Sequence, residues 1–240
     1  MENVGNTMFH LAERLFPICR SITGNGFRKS LEIICEILPE IVVHEVPSGT
    51  QVFDWTVPKE WNIRGGWIRR KSGETIIDFN DSNLHVVGYS IPVHKTVSRE
   101  ELLEHVYTIP DQPEWIPYVT SYYKERWGIC MTEKQKQTLT DDEYEVLIDS
   151  SLSDGSLTYG ELVLQGETQD EILISTYLCH PSMANNELSG PCVQTELVKY
   201  LKSLPKRRYT YRFIWNPETI GSITYLSQNW ESLQQHVKAA

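Results

Sequence analysis

Four residues in the last third of the chain have the types and spacing that could bind a metal or move a proton: His180, Asn186, Glu187 and Glu218. His180 follows an apolar run, Ile172 to Leu178, and precedes a short polar segment that leads through Ser189-Gly190 into a helical pattern. Glu218 follows a second run, Tyr209 to Trp215, in the turn Asn216-Pro217-Glu218. A continuous run such as 172–178 reads as a strand buried on both faces. In an open α/β sheet, ligands bind outside the carboxyl ends of the strands, so both loops stand where chemistry is expected. Imidazole and carboxylates together form a donor set for zinc. A carboxylate beside a metal-bound water is the usual general base of metal-assisted hydrolysis. The same residues equally fit a histidine hydrogen-bonded within the crevice and a solvated loop acid, and spacing alone leaves both readings open. Cys179 and His180 do not form a nucleophile–base pair, because adjacent residues of an extended strand point to opposite faces. Cys179 is expected to be a small core residue.

The elements that must position these residues are legible around them. Val193, Leu197, Tyr200 and Leu201 recur at helical spacing between the two runs, so 172–215 is expected to be a parallel strand pair with a right-handed helical crossover. A last helix over 220–235 carries Ile223, Leu226, Trp230 and Leu233 on its apolar side. Two helices open the chain. One, over 3–16, holds Met8, Phe9, Leu11, Leu15 and Phe16; the other holds Phe27, Leu31, Ile34, Cys35 and Leu38 and ends at Pro39. Arg20-Ser-Ile-Thr-Gly-Asn-Gly26 between them reads as a helix connection rather than an anion-binding loop, because no strand precedes its glycines. Ile41 to Val46 is expected to be a strand.

From about residue 50 the texture changes to short aromatic and β-branched segments separated by turn residues. Strands are expected at 52–57, 63–69, 74–79 and 84–90, with Trp55, Trp61 and Trp67 sharing one core; a sugar-stacking surface is the sharper alternative. Ser98 and Glu101 form a capping box, and three prolines keep 109–123 extended. Tyr144–Ile148 and Leu157–Leu164 flank Asp154-Gly155, a turn signal that predicts a hairpin. The expected organisation is an α/β domain from 1–50 and 144–240, with 51–143 as a β-rich insertion.

The net charge of −10 and a pI near 5.2 argue against sequence-independent nucleic-acid binding, which needs basic surface. Five scattered cysteines without a CxxC fit a reducing compartment. The first residues do not read as a signal peptide, and no stretch approaches the roughly 20 apolar residues of a membrane span. These features predict a soluble cytoplasmic protein that binds neither nucleic acid nor membrane. An uncovered sheet edge could be hidden in a homodimer.

His180-Pro-Ser-Met-Ala-Asn-Asn-Glu-Leu-Ser-Gly190 resembles the metal-binding segment of the co-catalytic zinc aminopeptidases, and Phe213 to Ser222 resembles their later strand and turn. More closely, the chain resembles the bacterial aminopeptidase-like proteins linked to polysaccharide biosynthesis. The shared segments are Arg20–Gly26, Val52–Trp61, Ile116–Tyr123 and Cys179–Ser182. The resemblance implies a three-layer aminopeptidase-like α/β domain, incomplete at its C-terminal end, interrupted by a β-rich insertion. It implies zinc as cofactor, His180 as a ligand and Glu218 as general base, with a peptide or small amide as substrate. Asn186 stands where the family's bridging aspartate belongs, Glu187 could supply that carboxylate from one position along, and Thr219 stands where a second glutamate ligand would be. These departures leave a second reading, a non-catalytic carbohydrate- or protein-binding paralogue on the same scaffold.

Overall fold

The computed structural model describes residues 3–240. The chain forms two compact units: one contains the residues up to Glu60 together with Asp154–Ala240, the other Trp61–Ser153. The junctions fall later than the textural change at 51 and 144. Phe53, in the short ribbon Gln51–Thr56, lies edge-on to Trp230 within the first unit. Tyr144, Val146 and Ile148 bury their side chains in the core of the second.

The first unit holds the candidate site. Its helices are α1 (Val4–Leu15), α2 (Asn25–Ile37), α3 (Ser189–Ser203) and α4 (Ile220–His236). Its strands are β1 (Val42–Pro47), β2 (Ser156–Leu164), β3 (Glu171–Tyr177), β4 (Thr210–Asn216) and β5 (Val237–Ala239), in the sheet order β1-β2-β4-β3-β5. β3 and β4 run parallel, with Tyr177 paired to Asn216 at their carboxyl ends, so the expected parallel pair is present. β1 and β2 pair antiparallel, as do β2 and β4. Gly160 of β2 faces Leu31 of α2, whereas its neighbour Glu161 accepts a hydrogen bond from Tyr225 of α4 (2.6 Å). Successive strand residues face opposite sides, so α2 and α4 cover opposite faces of the sheet and the unit has three layers.

The second unit is built on a four-stranded sheet in the order Thr75–Asp78, Glu60–Arg70, Glu143–Ser153, Val93–Ser98. Ile68, Ile77, Val97, Leu102 and Ile129 fill its core. Ser98 caps the helix Arg99–Glu104 by accepting from the Glu101 amide.

Several expectations are corrected. The run 172–178 is not buried on both faces: most of β3 is half-buried. β4 takes the central place, and among the described residues only the three-residue β5 lies beyond β3. The apolar face assigned to α3 is only partly right: Leu201 is buried, whereas Val193 and Tyr200 are 54% and 61% exposed. The residues that α3 buries include Cys192, Gln194, Thr195 and Val198. Small and polar residues let the helix approach closely: a Cβ on Gly190 would come within 2.3 Å of Thr176 Oγ1. No hairpin forms at Asp154-Gly155, because the strand Glu143–Ser153 and β2 belong to different sheets. Residues 84–90 form a 3-10 turn, Asn83–His85, followed by isolated bridges. Trp55, Trp61 and Trp67 do not share a core. Trp61 is buried and stacks on Tyr89, Trp67 is half-buried under the Arg69 guanidinium, and Trp55 lies in the other unit.

One polar cluster joins sheet and helix in the first unit. Arg212 of β4 forks onto Glu171 of β3 (2.6 and 2.8 Å) and reaches Glu161 of β2 (2.6 Å). The Glu171 hydrogen bond is the main cause holding the guanidinium protonated. Removing one partner from a mostly buried ion pair leaves a charge without compensation. Arg212→Met should therefore lose about 3 kcal/mol of stability in urea unfolding followed by tryptophan fluorescence; a loss indistinguishable from zero would show that the cluster does not hold the sheet together.

Candidate functional site

The site lies at the carboxyl ends of the parallel pair. After β3 the Leu178 amide donates to the Asn216 carbonyl (3.0 Å), which carries the chain one residue past the strand alongside β4. Asn216 closes the other strand. With its amide oriented to satisfy both ends, its nitrogen donates to the Thr176 carbonyl (3.1 Å) and its oxygen accepts from the Ser222 amide (3.0 Å). Both loops then turn through positive φ on residues with side chains, Ser182 at 47° and Thr219 at 54°. For a β-branched residue such as Thr219 this region is strained, and such strain clusters at functional sites.

His180 and Glu187 meet because the segment between them folds back on itself. Ala184–Leu188 is a π-helical turn that runs directly into α3. Tyr177 secures it by donating from its hydroxyl to the Asn186 carbonyl (2.8 Å). Glu187 is therefore turned inward and fully buried, and its Oε2 accepts from both the His180 backbone amide and His180 Nδ1. Its other oxygen, Oε1, accepts from Arg20 Nε (3.3 Å), and the Arg20 side chain is also fully buried. Arg20 Nη1 donates to the Leu15 carbonyl in the last turn of α1. Burial pushes the Arg20 pKa down, and the Glu187 charge opposes that shift.

An ionised carboxylate only accepts, so Nδ1 donates to Glu187 and Nε2 is turned to the outer side. Nε2 faces Glu218 Oε2 at 3.2 Å. Two acceptors at that distance need a cation between them, either a second imidazole proton or a metal ion. A histidine that ligates a metal through one nitrogen while donating from the other to a carboxylate is the usual supported arrangement. His180 and Glu218 therefore fit a divalent cation on the Nε2 side.

The inner side does not fit one. Cys179 Sγ, a His180 ring nitrogen and a Glu187 oxygen lie within 4.8 Å of one another. The Arg20 guanidinium, however, already neutralises that carboxylate, and burial raises the Cys179 pKa well above the ordinary thiol value. Cys179 instead accepts a hydrogen bond from the Glu218 amide (3.2 Å), which ties the two strand-end loops together.

His180, Glu187 and Glu218 are thus brought together, with Glu218 half-exposed at the mouth. Asn186 and Thr219 are both exposed. Arg20 and Tyr177 belong to the arrangement but were not read as site residues from the sequence. Arg20 lies 167 positions from Glu187 and shows no periodicity; its one signal was its place in the shared segment 20–26.

The Cys179 environment makes a prediction. The thiolate is the reactive form, so Cys179 should resist iodoacetamide in the native chain and label fully in denaturant, as mapped by mass spectrometry. Native labelling at the rate of a free thiol would contradict the burial described.

Known proteins bear on this geometry. A Clostridium acetobutylicum protein provisionally named as a polysaccharide biosynthesis protein with an aminopeptidase-like domain is 56% identical over 230 residues, 96% of this chain and 52% of its own length. The crystal structure of a provisionally assigned peptidase from the same organism superposes with a TM-score of 0.94 at 55% identity, covering 97% of this chain and 55% of that one. The chain thus spans about half the length of these relatives. A zinc aminopeptidase from Bacillus subtilis matches at TM-score 0.63 with 14% identity, over 98% of this chain and 66% of its own; at that identity the likeness is one of fold. Residues 9–240 match the family described as a domain of unknown function, DUF4910. The chain belongs to that family, and its α/β unit has the aminopeptidase-like fold.

Proposed function

We propose that this chain carries part of the reaction centre of a zinc-dependent hydrolase of peptide or amide bonds. The observation that carries this reading is the pairing of His180 Nε2 with Glu218 at 3.2 Å, a contact that a metal ion or a proton would bridge, with a buried carboxylate fixing the ring from behind. His180 would hold the metal through Nε2, and the bound zinc would supply Lewis acidity and a water of lowered pKa. Glu218, half-exposed and adjacent, would take the proton from the attacking water on its carboxylate and return it to the leaving amine. Glu187 would act as the orienting carboxylate behind His180 rather than as a ligand, because both of its oxygens are engaged by protein donors. Catalytic zinc takes three protein donors, so His180 would be one of them, with Glu218 beside the shell as base. The likeness to peptidase structures supports the reaction class, and the relative's name supports a setting in polysaccharide biosynthesis.

A second reading, a binding protein on the same scaffold, draws support from the neutral side chains of Asn186 and Thr219, where the resemblance implies carboxylates. One experiment separates the two. Zinc titration calorimetry on the 240-residue chain should show binding that His180→Ala abolishes. Hydrolysis of aminoacyl p-nitroanilides should fall by about 10²–10⁴ in Glu218→Gln. A cooperatively folded chain that neither binds zinc nor turns over these substrates would favour the binding protein.

A further inference from the structure

We propose that Arg20 is a positioning residue of this site, acting through Glu187 to fix the ring of His180. The proposal rests on the reading that His180 Nε2 faces the metal, and its geometry is independent of that reading. Arg20, Glu187 and His180 form one continuous chain of contacts: Arg20 Nε to Glu187 Oε1 (3.3 Å), then Glu187 Oε2 to His180 Nδ1 and to the His180 backbone amide. The side chains of Arg20 and Glu187 are both fully buried. A buried carboxylate oxygen without a donor is heavily penalised, and Arg20 Nε supplies the donor for Oε1. The guanidinium thus holds the carboxylate in place through Oε1 and leaves Oε2 turned to His180.

The loop that carries Arg20 is built to hold it still. Arg20 Nη1 is tied to the Leu15 carbonyl, so the same side chain caps α1. The loop leaves through Gly24, at φ 92°, into α2. It then packs so tightly that a Cβ on Gly26 would lie 1.9 Å from the Cys19 carbonyl oxygen. The stretch 20–26, which reads as a plain helix connection, therefore delivers a fixed cation to the far side of the site. Arg20 Nη2 is buried and has no hydrogen-bond partner among the described residues.

The test is a double-mutant cycle with Arg20→Met, Glu187→Gln and the pair, measured in two ways. The first is zinc affinity by calorimetry. The second is the ring tautomer of His180 in the metal-free chain, read from long-range ¹H–¹⁵N correlations and assigned by comparison with His180→Gln. We expect each single variant to lose about 10–100-fold in zinc affinity, the range for removing an outer-shell partner. The pair should lose no more than Glu187→Gln alone, because Arg20 acts through Glu187. In metal-free Arg20→Met the Nδ1–H signature of His180 should weaken. Unchanged affinity and tautomer in folded Arg20→Met, or losses that simply add, would overturn the proposal. Should Arg20→Met not fold, Arg20→Gln, which keeps a donor for Leu15, replaces it in the same cycle. If the parent chain binds no zinc, the hydrolase reading fails, and the tautomer readout alone decides the role of Arg20.

Discussion

A carboxylate buried beside a guanidinium is costly to desolvate, and it persists where each carboxylate oxygen finds a donor. Glu187 meets that condition through three donors from two distant parts of the chain: Arg20 Nε, His180 Nδ1 and the His180 amide. Much of the local architecture can be understood as satisfying it. The π-helical turn 184–188 turns the side chain inward. Gly190 lets α3 sit close enough to β3 for that turn to close. The N-terminal helices bring Arg20 across to the same point. Removing the ion pair would release the histidine, the end of α1 and the loop between α1 and α2 together.

The outer side of His180 has the opposite character. Nε2 meets a half-exposed carboxylate, and the two loops that present them are tied by the Glu218 amide on Cys179 Sγ and by Asn216 across the strand ends. One ring therefore separates a closed, internally neutralised region from an open one that faces a half-exposed carboxylate. This division explains why two neighbouring carboxylates take different parts. Glu187 is neutralised by protein, and Glu218 is left for solvent, substrate or metal.

How much of this was legible in the sequence depended on distance along the chain. The parallel pair at 172–215 and the two strand-end loops were local patterns, and they appear as expected. The two-sided burial of 172–178 failed because strand order decides burial, and strand order is set by β2 and β5, which the run itself does not encode. The hairpin at Asp154-Gly155 failed for a related reason: a turn signal reports a change of direction, and here the chain passes from one sheet to another. The face of α3 was misjudged because Val193 and Tyr200 outweigh Cys192 and Thr195 in size, although close packing on β3 calls for the small residues. The inward aim of Glu187 could not be seen, since its counter-charge lies 167 positions away on a loop that resembles a plain connector.

The central claim is that Glu187 supports His180 from behind and leaves Nε2 as the metal-facing atom. Anomalous diffraction at the zinc edge, from crystals of this chain grown with zinc, tests it directly. The account predicts a peak about 2.0–2.1 Å from His180 Nε2, with Glu187 still on Nδ1 and on Arg20. A peak on the opposite side of the ring, ligated by Cys179 and Glu187 with Arg20 displaced, would contradict it.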